Sequence, residues 1–267
     1  MAVETQSQAA FMKVLYINRR NLVAFFLIFI GLFFIILNAV LSRQLLAQVT
    51  SNYREDIPIY SVDTEEKKCA ITFDCAWGAD DIPRLLDILD QYQAKATFFI
   101  VGVWAEKYPD KVKLIYERGH EVANHGYSHL HMSNMPEAKL TEEIQRCSKT
   151  LEDITGSTIK LFRPPYGEYD AQTVRASRKL GHEIIQWDCD SLDWKKTMTK
   201  ENIYSRVVKK VTNGSIILFH NDTQYTEAVL PEILKTLTDT GYSCVTVSDM
   251  LLKEPFKIRY DGRQMKE

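Results

Sequence analysis

Residues 22–41, LVAFFLIFIGLFFIILNAVL, form twenty consecutive positions without a charge, and Asn38 is the single strongly polar residue among them. As a helix rising about 1.5 Å per residue, this run spans roughly 30 Å, the hydrocarbon thickness of a bilayer. A core helix of this length would carry a polar stripe, and none is visible. Lys13, Arg19 and Arg20 precede the run, whereas the stretch after it offers Arg43 and Arg54, the latter followed by Glu55 and Asp56. The cationic excess on the N-terminal side keeps that side in the cytoplasm and exports the remainder. A cleaved leader is the alternative, with Leu45-Leu46-Ala47 resembling a small-residue cleavage site. The run exceeds the usual leader core of about 7–15 residues. The expectation is an uncleaved single-pass anchor in the cell membrane, with a cytoplasmic tail over 1–21 in which Met12 is a second candidate start.

Residues 42–66 are polar and read as a tether, residues 67–253 as the globular domain, and residues 254–267 as a basic tail containing Lys257, Arg259, Arg263 and Lys266. The tail is read either as disordered or as lying against an anionic wall or lipid. With 45% hydrophobic and 25% charged residues, the chain has the material for a sizeable core and is neither disordered nor collagen-like. A formal charge of −2 supplies no long-range attraction for a polyanion, which argues against a nucleic-acid partner. Five cysteines, an odd number without a CxxC pair, demand neither a disulfide framework nor a structural zinc cluster. Cys69, Cys147, Cys189 and Cys244 are read as packing residues.

From residue 67 onward, short apolar runs alternate with helical patterns. Residues 68–75 (KCAITFDC), 96–101, 121–124, 161–162, 184–187, 215–219 and 243–247 read as strands. Between them fall helices, the first opened by Asp80-Asp81-Ile82-Pro83, with later ones at 110–118, 141–154, 171–180, 201–211 and 230–238. Such alternation implies parallel strands with helical crossovers, in an open doubly wound sheet or a closed barrel. After the first strand, Cys75-Ala76-Trp77-Gly78-Ala79-Asp80 carries neither GxGxxG nor GxxxxGK, so dinucleotide and P-loop readings fail. Polar groups follow the strands instead: Asp74, His125 with His129, Arg163, then Asp188, Asp190 and Asp193, and finally His220. In a parallel barrel these ends converge on one face.

Taken singly, each cluster has a plain structural explanation. His125 and His129, four residues apart, suit one ion, but a lone pair of histidines is a weak signal. His131 reads as a loop residue. Asp74 is costly to bury unless paired, and Arg163 is the natural partner. Arg163-Pro164-Pro165-Tyr166-Gly167 is also a stiff turn, and His220 a candidate core histidine. Together, at equivalent strand ends, they describe a single pocket.

The ordered set Thr72-Phe73-Asp74, Asn124-His125-Gly126-Tyr127-Ser128-His129, Arg163-Pro164-Pro165-Tyr166-Gly167, Asp190-Ser191-Leu192-Asp193-Trp194 and Leu218-Phe219-His220 resembles the polysaccharide deacetylase (NodB homology, carbohydrate esterase family 4) family. Its details are most similar to membrane-anchored, sporulation-associated members. The resemblance implies an α/β fold, a distorted (β/α) barrel of seven or eight parallel strands. It implies a divalent metal, zinc first with cobalt or nickel as alternatives, and hydrolysis of N-acetyl groups on an acetylated glycan, peptidoglycan or chitin-like. Under it, His125 and His129 are metal ligands and Asp74 is the general base held by Arg163. His220 is the general acid oriented by Asp193. The Tyr166 backbone N–H, on the turn with Pro165, helps hold the oxyanion, while Trp194 and Leu218 line the acetyl slot.

The chemistry requires these residue types. An amide is a poor electrophile, so attack calls for carbonyl polarisation and a water of lowered pKa, a carboxylate to take its proton and an imidazole to protonate the amine. One position departs from the family pattern. Where members usually carry a second aspartate as third metal ligand, this chain has Cys75. Three outcomes are open: Cys75 ligates as thiolate, Asp80 or Asp81 substitutes, or two histidines and water hold the ion weakly. Cysteine's preference for burial favours a thiol packed in the strand. A metal-dependent N-deacetylase is the leading expectation, and a membrane-tethered glycan-binding or assembly protein of the same fold is the alternative.

Overall fold

The apolar run forms a single helix, α1 (Arg19–Glu55), in the computed structural model, which describes residues 19–267 and the side chains of 23–43 and 56–267. Residues 1–18 of the expected cytoplasmic tail lie outside the described residues. Val23–Arg43 has a mean hydropathy of 2.9 and none of it is buried, with Phe25 70% exposed. The core-helix reading therefore fails, and a segment long and apolar enough to cross a membrane remains. α1 continues through half of the expected tether because no Gly or Pro interrupts residues 42–55, and Pro58 is the first breaker. Contacts divide the chain into two units, one ending at Thr50 and the other running Ser51–Glu267.

The second unit is a curled, mostly parallel sheet wrapped in helices. In chain order it contains β1 (Ser61–Val62), β2 (Lys68–Cys75), α2 (Ile82–Gln91), β3 (Ala96–Ile100), α3 (Gly102–Lys107), α4 (Pro109–Glu117) and β4 (Glu121–Asn124). It continues with α5 (Glu137–Thr155), β5 (Leu161–Phe162), α6 (Ala171–Lys179), β6 (Glu183–Ile184), β7 (Cys189–Asp190), α7 (Lys200–Lys210) and β8 (Ser215–His220). The last elements are α8 (Thr226–Asp239), β9 (Ser243–Cys244), α9 (Val247–Met250), β10 (Phe256–Ile258) and β11 (Arg263–Lys266). The strand order is β10-β11-β1-β8-β2-β3-β4-β5-β6, with β7 on β8 and β9 on β2. The strands β2 to β9 pair with one another in parallel, as expected of a distorted parallel barrel. A bridge between Ile59 and Ile185 draws the curl together.

The antiparallel edge was not legible in advance. Ile59 and Val62 are fully buried ahead of residue 67, where the sequence reading starts the domain. At the other end, residues 256–266 form a strand pair whose β11 runs parallel to β1, so the basic tail is folded onto the sheet rather than disordered. Phe256 and Ile258 bury in the cluster that holds Ile59 and Val62.

Strand alternation decides which side chains can meet. On β2, Cys69, Ile71, Phe73 and Cys75 face the helix layer and join a cluster with Leu85, Leu86, Ile233 and Leu234. Phe73 stacks on Phe98 there, ring centroids 4.9 Å apart. Ala70 faces the inside of the curl with Phe99, Ala123 and Ile216. Thr72 and Asp74 share Ala70's face by the two-residue period.

Candidate active site

Asp74, one residue from the end of β2, accepts a 2.6 Å bond from Arg163 Nη1. Arg163 is fully buried beyond β5, and its two Nη atoms also donate to Thr72 Oγ1 and to the Gln186 carbonyl. Its guanidinium lies 3.9 Å from the centroid of the Phe99 ring. Burial pushes the Asp74 carboxyl up, but Arg163, His125 and His220 outweigh it and hold the group below its ordinary value. Asp74 is therefore ionised at neutral pH.

The two histidines sit on the loop after β4. His125 is 2% exposed, and its Nδ1 donates to the Arg163 carbonyl at 2.8 Å, which fixes the tautomer and leaves Nε2 as a lone pair 3.4 Å from Asp74 Oδ2. His129 adopts a left-handed φ of 55°, and its ring centroid lies 5.2 Å from that of His125. Burial lowers the pKa of both; His129, with His125 also acting on it, is brought to about 4. Both imidazoles are neutral at pH 7. Two groups outside the expected set hold this loop. Asn124 Oδ1 accepts from the Gly126 N–H, and the buried Glu143 of α5 accepts both the Ser128 N–H and its hydroxyl.

His220 closes β8 directly opposite Asp74 in the strand register. Asp193 Oδ1 receives its Nδ1–H at 2.8 Å, while Asp193 Oδ2 accepts the His220 backbone N–H and the Thr226 hydroxyl. Burial lowers the His220 pKa, but the Asp193 bond and the carboxylates around it raise it above its ordinary value overall.

Asp74, His125, His129, Tyr166, Trp194, Leu218 and His220 line one cavity of about 500 Å³, within the size range of ligand pockets. Trp77 and Trp187, which sequence reasoning did not select, complete its aromatic wall. Arg163 and Asp193 stand behind the wall as holders. Tyr166 has φ 62° on a short 3-10 turn and is 53% exposed at the rim, where His131 stacks on its ring. Pro165 does not reach the cavity; it is buried behind it, near Gly126. Asp81 accepts the Asp222 N–H at 2.7 Å, and neither it nor Asp80 joins the histidines.

The comparisons with known proteins fit this geometry. The polysaccharide deacetylase model matches residues 61–185. Over 197 residues the chain is 36% identical to a peptidoglycan-N-acetylglucosamine deacetylase of Bacillus cereus, across 72% of this chain and 92% of that relative. The chain belongs to the polysaccharide deacetylase family. A second relative, the peptidoglycan-N-acetylmuramic acid deacetylase PdaC of Bacillus subtilis, is 33% identical over 190 residues, 71% of this chain and 40% of that longer protein. Among solved structures, a mutant of the Bacillus anthracis protein BA3943 aligns with a TM-score of 0.70 at 30% identity, over 72% of this chain and 70% of that one. That protein is described as a family 4 carbohydrate esterase pseudoenzyme with restored enzymatic activity.

The metal that the deacetylase family implies meets only part of a donor set here. His125 and His129 are neutral nitrogen donors at one wall of the cavity. Cys75 is fully buried on the opposite face of β2 from Asp74, and burial, with Asp81 and Asp74 nearby, raises its thiol well above the ordinary value. Here the thiol packs with the helix-layer cluster and does not line the cavity. No cluster of three or more His, Cys, Asp or Glu side chains among the described residues is arranged to hold an ion. The side chains present do not fit a three-donor centre.

Proposed function

We propose that this protein is an N-deacetylase of peptidoglycan glycan, removing acetate from N-acetylhexosamine residues outside the membrane to which α1 tethers it. One observation carries the reading: an ionised carboxylate and a separate, carboxylate-held imidazole lie on neighbouring strand ends in one cavity. A pure binding pocket has no use for both. In the reaction, water adds to the acetamide carbonyl as Asp74 takes its proton. His220 protonates the departing amine nitrogen, the C–N bond breaks, and acetate and a free amino sugar result. The Tyr166 backbone N–H faces the developing oxyanion, and Leu218 and Trp194 enclose the acetyl methyl. Arg163 keeps Asp74 ionised, and Asp193 fixes the His220 tautomer.

The excess of Lys and Arg before the apolar run supports an uncleaved anchor with its N-terminus in the cytoplasm. The resemblance points to sporulation as the setting. His125 and His129 are the residues that would hold a divalent ion, zinc first among the candidates, and with two donors they would hold it weakly.

A second reading is favoured by one observation, the packed thiol at position 75. Under it the chain binds acetylated glycan and hydrolyses little. The discriminating experiment is acetate release from acetylated glycan strands by the detergent-solubilised chain, with and without added zinc or cobalt. Release supports the deacetylase. Binding of the strands without release, in every metal condition, gives the second reading the field.

A further inference from the structure

Beyond the cavity that holds Asp74 and His220, the cleft opens into a second one of about 520 Å³, and the two share Trp77, Trp194 and His220 as common walls. Its far wall carries Lys195 and Lys196 on the loop between β7 and α7. Both lysines are exposed, and among the described residues neither has a carboxylate within ion-pair distance. Several lysines of the outer helices, Lys113, Lys149, Lys200 and Lys235, instead pair with a nearby Asp or Glu. The Lys195 ammonium lies 5.2 Å from the centroid of the Trp194 ring.

Two acidic residues border this cavity. Asp193 is fully covered and engaged with His220 and Thr226. Asp222 turns a carboxylate oxygen onto the Gly78 N–H at 3.0 Å. Asp222 is exposed and keeps its charge, so two ammonium groups face one free carboxylate across the space, a net cationic excess. A polymer whose N-acetyl sugar occupies the first cavity must lead its neighbouring residue out of it, and this continuous opening is one such way.

We propose that this second cavity is a subsite for a carboxylate-bearing neighbour of the sugar being deacetylated, with Lys195 and Lys196 as its anion contacts and Trp77 and Trp194 as ring platforms. The proposal rests on the acetylated-glycan reading above and narrows it to acidic glycans. In peptidoglycan two sources supply that carboxylate: the lactyl group of a muramic acid freed of its peptide, and the acidic residues of an attached stem peptide.

The test measures dissociation constants of the full-length chain in detergent, and of the Lys195→Ala/Lys196→Ala variant, for three probes. These are chitotetraose, glycan strands stripped of stem peptides by an amidase, and strands with stem peptides retained. Two exposed ion pairs account for a change of roughly three- to tenfold. The expected result is that fold-loss for at least one acidic probe in the double variant, erased at high salt, with chitotetraose binding unchanged. Loss confined to the stripped strands assigns the lactyl carboxylate; loss confined to the peptide-bearing strands assigns the peptide. Equal affinities of variant and wild type for every probe, or an equal loss for neutral and acidic probes, would overturn the subsite while leaving the deacetylase reading intact. Failure of the wild type to bind any of the three glycans would remove the parent reading and the subsite with it.

Discussion

Asp74 and His220 are register partners on adjacent parallel strands, yet each is tied to a different holder: Asp74 to Arg163 and His220 to Asp193. The strand pairing sets their separation, and the two holders push their proton affinities apart. Arg163 contributes to lowering one, and Asp193 to raising the other. A base that is ionised and an acid that is protonated at the same pH are what amide hydrolysis requires.

The His220–Asp193 pair gives a pH prediction. Because the folded pKa of His220 is raised, its contribution to stability is present below the unfolded value of about 6.5 and is lost as pH rises through the folded value. Asp193→Asn removes the largest raising influence, so the His220 imidazole is expected to titrate at lower pH. The alkaline limb of any acetate-release profile should move the same way. Histidine NMR titration of wild type and variant checks this, and an unmoved His220 resonance contradicts it.

Asp74→Asn leaves the Arg163 guanidinium buried without a counter-charge. The expected cost is about 3–5 kcal/mol of unfolding free energy, read from thermal or denaturant melts. Arg163→Met on the Asp74→Asn background should cost less than the sum of the two single changes. Strict additivity would show that the two groups are not energetically coupled.

Cys75→Ser separates a packed thiol from a ligand. Zinc affinity measured by calorimetry is expected to be unchanged, because the residue faces the helix layer with Phe73 and Leu86. A large loss of affinity would place the sulfur on the ion.

Glu143 supports the histidine loop from below. Glu143→Ala removes the charged acceptor of the Ser128 N–H and hydroxyl and is expected to cost about 1–3 kcal/mol in stability. It should also loosen His129, seen as faster amide exchange over residues 125–129. Unaltered exchange there would remove Glu143 from a positioning role.

The longer parallel strands were legible because they are short apolar runs, two of which carry a charged or imidazole residue at or next to their end, Asp74 and His220. Arg163 could be named because a buried aspartate demands a cation, whereas Asp193 came only from the family resemblance. The antiparallel edge was not, since Ile59 and Val62 sit in a polar stretch and the strands near Phe256 and Gln264 are too short for periodicity to register. Trp187 and Glu143 were missed for another reason: one closes a run read only as a strand, the other lies on the polar-looking side of a helix, and only the tertiary fold turns them toward the cavity and the loop. Position 75 was the open point, and the sequence could not show that its side chain packs with Phe73 and Leu86 and stays out of the cavity.

The most direct measurement compares acetate release from acetylated glycan strands by wild type and by His220→Ala at one pH and one metal concentration. The account predicts measurable release by the wild type and a loss on the order of 10²–10⁴-fold in the variant, with the glycan still bound. Equal rates in the two proteins would contradict it, as would a wild type that binds the strands and releases no acetate.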